Sequence, residues 1–267
     1  MSNEAVQCLI EGPVAKLILN RPDKRNAIND EIINQLQNHL DELALNEDVR
    51  VITLSGNGPC FSAGIDLAYI GGLASVDDKQ RGTFLREMAR KIQNVMIRME
   101  NLEKPIVAVI HKYCVGLGME LVLGCDFRIA TPDVLFSLPE IHLGLIPDCG
   151  GTTRLTKLVG IAKAKEMIML GDSISIEEAK AMNLVTTIAD ADKLAEEADA
   201  LVQRLLARPS LGMGLIKRMV QFSSSVDHAT SFELEPMVQT CAVMAPDFAE
   251  VMMTGFQTLQ KIRKSNK

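Results

Sequence analysis

The chain has 267 residues, enough for one or two domains with a sizeable buried core. Its 47% hydrophobic and 23% charged residues exclude a disordered chain, and 34 acids against 28 bases leave a net charge of −6. With a pI near 5.4, general binding to phosphodiester backbones is disfavoured. No apolar run approaches the ~20 residues of a membrane span, and the segment from Met1 to Gly12 carries Glu4 and Glu11 without a signal-peptide pattern. The six cysteines form no CxxC pair and the four histidines no HxxxH or HExxH group. A soluble, cytoplasmic protein with reduced thiols and no metal is therefore expected.

In chain order, Val14 to Leu19 reads as a buried strand, followed by a helix from Asp30 to Leu45 with Asn29 or Asp30 as its N-cap. Val51 to Leu54 is a second strand, and Gln80 to Leu102 a second helix that Lys104-Pro105 brings to an end. Ile106 to Ile110, Phe127 to Ala130, Leu135 to Leu138 and Leu184 to Thr187 are further strands. From Gly151 onward the pattern is mainly helical: Lys163 to Leu170, Ser175 to Met182, Ala191 to Ala207, Leu211 to Phe222, Ala229 to Met244, and Phe248 to about Lys261. Ser175 and Glu178 fit a capping box. The order implies stacked ββα or βαβ units with parallel pairing over residues 1–200, then a helical region over 201–267.

Three segments stand out chemically. Pro59 to Leu67 (PCFSAGIDL) follows a strand, and its small residues permit a tight turn with exposed N–H groups. Val115 to Glu120 (VGLGME) opens an apolar helix, whose first N–H groups suit a developing oxyanion. Leu138 to Gly151 (LPEIHLGLIPDCGG) sets Glu140 and Asp148 among apolar residues, where an ionised carboxylate is costly to bury. Glu120, Glu140 and Asp148 together point to a site. Arg154 and Lys157 read as a solvated or interface helix face, and Cys149 as packing.

These segments, with Leu19 to Ala27 (LNRPDKRNA), Gly150 to Leu155 (GGTTRL) and Gly255-Phe256, resemble the crotonase superfamily of enoyl-CoA hydratases and isomerases in order and spacing. The resemblance covers almost the whole chain. It implies an α/β fold of the crotonase type, a stacked ββα superhelix with a helical C-terminal trimerisation region, acting on an acyl-CoA as a homotrimer or hexamer. It implies no cofactor beyond the substrate's coenzyme A, and neither nucleic acid nor membrane as a partner. By the same resemblance the oxyanion hole falls on the N–H groups of Ile65 and Leu117, where leucine replaces the family's usual glycine. Lys112 is a second such departure. Lys24, Arg25, Ala27, Ala63, Gly64, Asp66, Leu67 and Gly116 fall where such enzymes hold CoA, and Phe256 and Lys261 where a neighbour's CoA is reached. Gly71 to Lys79 is expected as a mobile loop over the acyl end.

Glu120 and Glu140 match both hydratase glutamates, which puts hydration of trans-2-enoyl-CoA to 3-hydroxyacyl-CoA first, as in fatty-acid oxidation. Asp148 stands where hydratases resembling this chain carry glycine and double-bond isomerases carry aspartate. A 3,5- to 2,4-dienoyl-CoA isomerase using Asp148 and Glu140 is the alternative. A CoA-binding protein without turnover is a third reading, and the presence of all three acids argues against it.

Overall fold

A computed structural model describes residues 4–265. β1 (Val6–Glu11) and β2 (Val14–Leu19) form an antiparallel hairpin that turns at Gly12, whose φ of +56° suits glycine. α1 (Asp30–Leu45) begins where the Asn29 side chain accepts a hydrogen bond from the N–H of Ile32 at 3.1 Å. β3 (Val51–Gly56) follows, then the short α2 (Leu67–Gly71) and the long α3 (Asp78–Asn101). The segment expected as a loop over 71–79 is mostly helical: a 3-10 turn, Gly72–Ser75, links α2 to α3, and the Asp77 side chain caps α3.

β4 (Ile106–Ile110), β5 (Tyr113–Val115) and α4 (Leu117–Leu123) make one turn of a superhelix. β6 (Phe127–Ala130) and β7 (Leu135–Ser137) start the next, which closes with a 3-10 helix over Pro139–Leu143. The first strand of each turn joins the large sheet, ordered β1-β2-β3-β4-β6-β8, which is parallel after the β1–β2 hairpin. The second strands pair as a small parallel sheet, β5-β7, which isolated bridges extend at Ser62–Cys114 and Phe136–Ile174. This is the stacked ββα arrangement.

Helices cover both faces of the large sheet. α1 buries Ile32, Ile33, Leu36, Leu40 and Leu43, and α3 packs beside it through Ile92, Val95, Met96 and Met99. On the other face, Val51, Val107 and Ile129 meet Ala198 and Val202 of α8 (Leu194–Leu206). Burial on both faces makes β2, β3, β4 and β6 nearly continuous apolar runs. β1 escapes sequence reading because it is an edge strand, with Leu9 and Ile10 half exposed.

After a π-type turn at Gly151–Leu155 come α5 (Thr156–Val159), α6 (Ile161–Leu170) and α7 (Ile176–Ala181). Ser175 and Glu178 form the expected capping box. The expected strand at 184–187 is reduced to β8 (Thr187–Ile188). The boundary expected at residue 200 falls inside α8, which packs on the core; α9 (Ser210–Ser223) follows and packs against the end of α3. The Lys217 ammonium ties α9 down by donating to the carbonyls of Met99 and Lys104 and to Asp126. α10 (His228–Val243) packs on α9, whereas α11 (Phe248–Ser265) has no extensive packing partner among the described residues. Phe232, Met237, Met253 and Phe256 on these two helices are all more than half exposed. Among the described residues no helix is long and apolar enough to cross a membrane.

Candidate active site

The wall of the site begins at Asn26. It is fully buried with φ +53°, and its amide nitrogen donates to the carbonyls of Asn57, Cys60 and Phe61 at 2.9, 2.9 and 3.1 Å. Its side-chain oxygen accepts from the N–H of Arg21 at 2.9 Å. Ser62 Oγ donates to the Asn26 carbonyl and accepts from the N–H of Gly64. These bonds hold the 60–65 segment flat against β5. Gly64 has φ +94°, and a Cβ there would stand 2.8 Å from the Val115 carbonyl oxygen, so only glycine allows the approach. Sequence reasoning took Asn26 as part of a motif and missed its clamp, because its partners lie far along the chain.

This approach brings Ile65 to Leu117 at the first turn of α4. Neither N–H has an acceptor among the described residues. The Leu117 side chain is 4% exposed and packs into the core against Ile33, Leu36, Val95 and Leu121. Its N–H nonetheless sits at the site, so a leucine here keeps the donor that a glycine would offer.

Glu120, Glu140 and Asp148 line one cavity of about 100 Å³ together with Ile65 and Leu117. Glu120, on the first turn of α4, is 2% exposed. Its Oε1 accepts from the N–H groups of Cys149 and Gly151, each at 2.8 Å. Burial is the main cause that pushes its pKa up to about 8; the charges of Glu140 and Asp148 add to this, and the two N–H bonds oppose it. Burial also raises the pKa of Glu140, helped by the charge of Asp148. Glu140 Oε2 is buried with no hydrogen-bond partner among the described residues. Its Oε1 leans against Gly116, where a Cβ would come within 2.9 Å. The carbonyl of Asp148 accepts from Gln93 Nε2 at 2.7 Å, and its carboxylate from Cys149 Sγ at 3.4 Å. Burial drives the Cys149 thiol far above its ordinary range, so it stays protonated.

Arg154, expected on a solvated or interface helix face, is instead mostly buried in an intramolecular ion pair. Its guanidinium forms a two-pronged pair with Glu100 at 2.6 and 2.7 Å, and also donates to the Cys149 carbonyl. It thus anchors the loop that holds Glu120. Glycine at 150, with φ +122°, leaves the guanidinium room that a Cβ would take.

Of the residues expected to hold CoA, Lys24, Arg25 and Ala63 are exposed side by side, with the N–H of Ala63 donating to the Arg25 carbonyl at 2.9 Å. Asp66 is engaged in the fold: it pairs with Arg21 at 2.9 Å and caps α2 at Ala68. The Arg21 guanidinium is the first cause holding its carboxyl below the usual range. Ala27 is half-buried in the same strip, and Leu67 is exposed at the start of α2. Phe256 and Lys261 lie on α11 and do not line the cavity.

Two stacked strand layers, a helix start with acceptor-free N–H groups beside it and three carboxyls on one cavity are the architecture of a crotonase-type protein. The chain belongs to the enoyl-CoA hydratase/isomerase family, whose profile matches residues 10–260. It is 32% identical to the 1,2-epoxyphenylacetyl-CoA isomerase of Escherichia coli over 242 residues, 90% of this chain and 91% of that protein. It is 29% identical to the short-chain-enoyl-CoA hydratase of Clostridium acetobutylicum, covering 84% of this chain and 85% of that one. Among solved structures, the enoyl-CoA hydratase of Bacillus anthracis superposes with a TM-score of 0.86 at 30% identity, covering 96% of both chains.

Proposed function

We propose that the protein hydrates trans-2-enoyl-CoA thioesters to 3-hydroxyacyl-CoA. The thioester oxygen accepts from the N–H groups of Ile65 and Leu117, which stabilise the enolate as charge moves onto it; each such donor is worth about 3–4 kcal/mol. The observation that carries hydration is the pair of carboxyls across one cavity. Glu120 is held through Oε1 alone, and Glu140 Oε2 has no partner among the described residues. Each acid therefore offers a carboxyl oxygen to one water. The Glu120 pKa, raised to about 8 mainly by burial, keeps a proton within the group at neutral pH, and burial raises that of Glu140 as well. One carboxylate takes a proton from water as its oxygen attacks carbon 3, and the other acid delivers a proton to carbon 2.

Asp148 on the same cavity supports a second reading, a shift of a double bond from 3,5- to 2,4-dienoyl-CoA. There Asp148 removes a proton at one end of the conjugated system and Glu140 returns one at the other. Absorbance separates the two. Hydration of crotonyl-CoA bleaches the enoyl thioester band, whereas isomerisation of a 3,5-dienoyl-CoA creates a conjugated dienoyl band. Bleaching with the first and silence with the second is the expected result.

The proposal extends to a homotrimer or hexamer in which Phe256 and Lys261 reach a neighbour's CoA. It is supported by the apolar, exposed faces of α10 and α11. Lys24 and Arg25 supply positive charge for the CoA phosphates, with Gly64 and Gly116 shaping the backbone beside the pantetheine. No cofactor beyond the substrate's own CoA enters the scheme. The reaction is taken as a fatty-acid oxidation step in the cytoplasm; the unpaired state of all six cysteines agrees with a reducing compartment.

A further inference from the structure

α3 presents Leu85, Met88, Ala89 and Ile92 to the cavity, a single apolar stripe at helical spacing. Ile92 lies beside Leu117, and Leu85 is seven residues earlier, about 10 Å along the axis at 1.5 Å per residue. Ile70, Leu145 and Ile146 face this stripe. Every ionisable group on the lining is an acid: Glu120, Glu140, Asp148 and the Cys149 thiol. Among the described residues no lysine, arginine or histidine lines it, and the S–H of Cys149 is taken by Asp148. In the middle of the stripe stands the smallest side chain, Ala89, which is buried.

We propose that this half of the site selects uncharged aliphatic acyl tails and rejects a short tail ending in a carboxylate, with Ala89 leaving the room the tail occupies. The inference rests on the acyl-CoA reading above and narrows it to a substrate class. At no more than about 1.5 Å per carbon–carbon bond, a six-carbon acyl chain reaches at most about 8 Å from the thioester. Its far end therefore falls within the apolar stretch. A carboxylate there loses its hydration and finds no lysine, arginine or histidine among the described lining residues to pair with it. A methyl group at the same place meets only aliphatic neighbours.

The test compares trans-2-hexenoyl-CoA with its ω-carboxylated counterpart of equal carbon number on the wild-type protein. A kcat/KM at least about 100-fold lower for the dicarboxylic thioester is expected, the scale of discrimination when a polar group is buried unpaired. Values within about fivefold of each other overturn the selection. Calorimetric binding of hexanoyl-CoA and adipoyl-CoA tests the selection without turnover. Weaker binding of adipoyl-CoA by at least about tenfold supports it, and equal affinity overturns it. Turnover of neither enoyl thioester with selective binding retained would sink hydration and leave the tail selection standing. Ala89→Leu should lower the ratio of kcat/KM for octenoyl-CoA over crotonyl-CoA by at least about tenfold. An unchanged ratio removes Ala89 from the proposal.

Discussion

The backbone N–H of Gly151 donates to Glu120 Oε1 at 2.8 Å, so the helix that carries the first acid and the loop that carries Asp148 are locked through one carboxyl oxygen. Cys149 gives the same oxygen a second donor at 2.8 Å. The second oxygen takes no part in this anchor, and the protein's own backbone sets the orientation of the acid.

If Glu120 and Glu140 handle the water, Glu120→Gln and Glu140→Gln should each lower kcat for crotonyl-CoA hydration by about 10²–10⁴-fold. Asp148→Asn should cost much less. Initial rates on the three variants check this, and the reverse order would support the isomerase reading.

Glu120 also links stability to pH. Its pKa is raised from the ordinary carboxylate range to about 8 on folding, so the folded state binds its proton more tightly than the unfolded state does. That contribution is complete below the unfolded pKa and is lost as pH rises through about 8. Glutamine mimics the protonated acid. Glu120→Gln should therefore gain on wild type by roughly 1–3 kcal/mol between about pH 5 and pH 9. Urea midpoints at both pH values measure it, and a constant difference would contradict the shift.

Leu117 separates backbone from side chain. Leu117→Gly keeps the N–H but empties a buried core position, a change expected to cost about 3–5 kcal/mol of stability. Turnover per folded molecule should persist below the lowered Tm. Complete loss of activity in folded protein would remove Leu117 from the oxyanion hole.

Gly116→Ala places a Cβ within 2.9 Å of Glu140 Oε1, at a residue whose φ is +52°. The strain is expected to cost about 1–2 kcal/mol and the displaced acid at least about tenfold in kcat. Thermal melting and steady-state kinetics on one preparation separate the two effects.

Mass measurement in solution should give a trimer or hexamer. A stable monomer would leave Phe256 and Lys261 without a CoA to reach.

Much of the core is legible locally. Val14 to Leu19, Asp30 to Leu45 and Ile106 to Ile110 appear with the bounds their apolar patterns set, because burial on one stripe or on both faces leaves a period in the residues themselves. The acids stand out for a related reason, as costly groups in apolar company. β5 has only three residues and β1 lies at an edge, so neither carries such a period.

What the residues alone determined is therefore most of the element types, an alternation of strands and helices with parallel pairing, and the chemical kinds of group at the site. Only the tertiary structure decided that Asn26 clamps the 57–61 backbone, that Arg154 is held by Glu100, and that one oxygen of Glu120 is spent on a loop 29 residues away. Those bonds join segments distant in the chain, and their geometry follows from how whole layers stack. A periodicity reports the burial of one element and cannot name the partner that buries it.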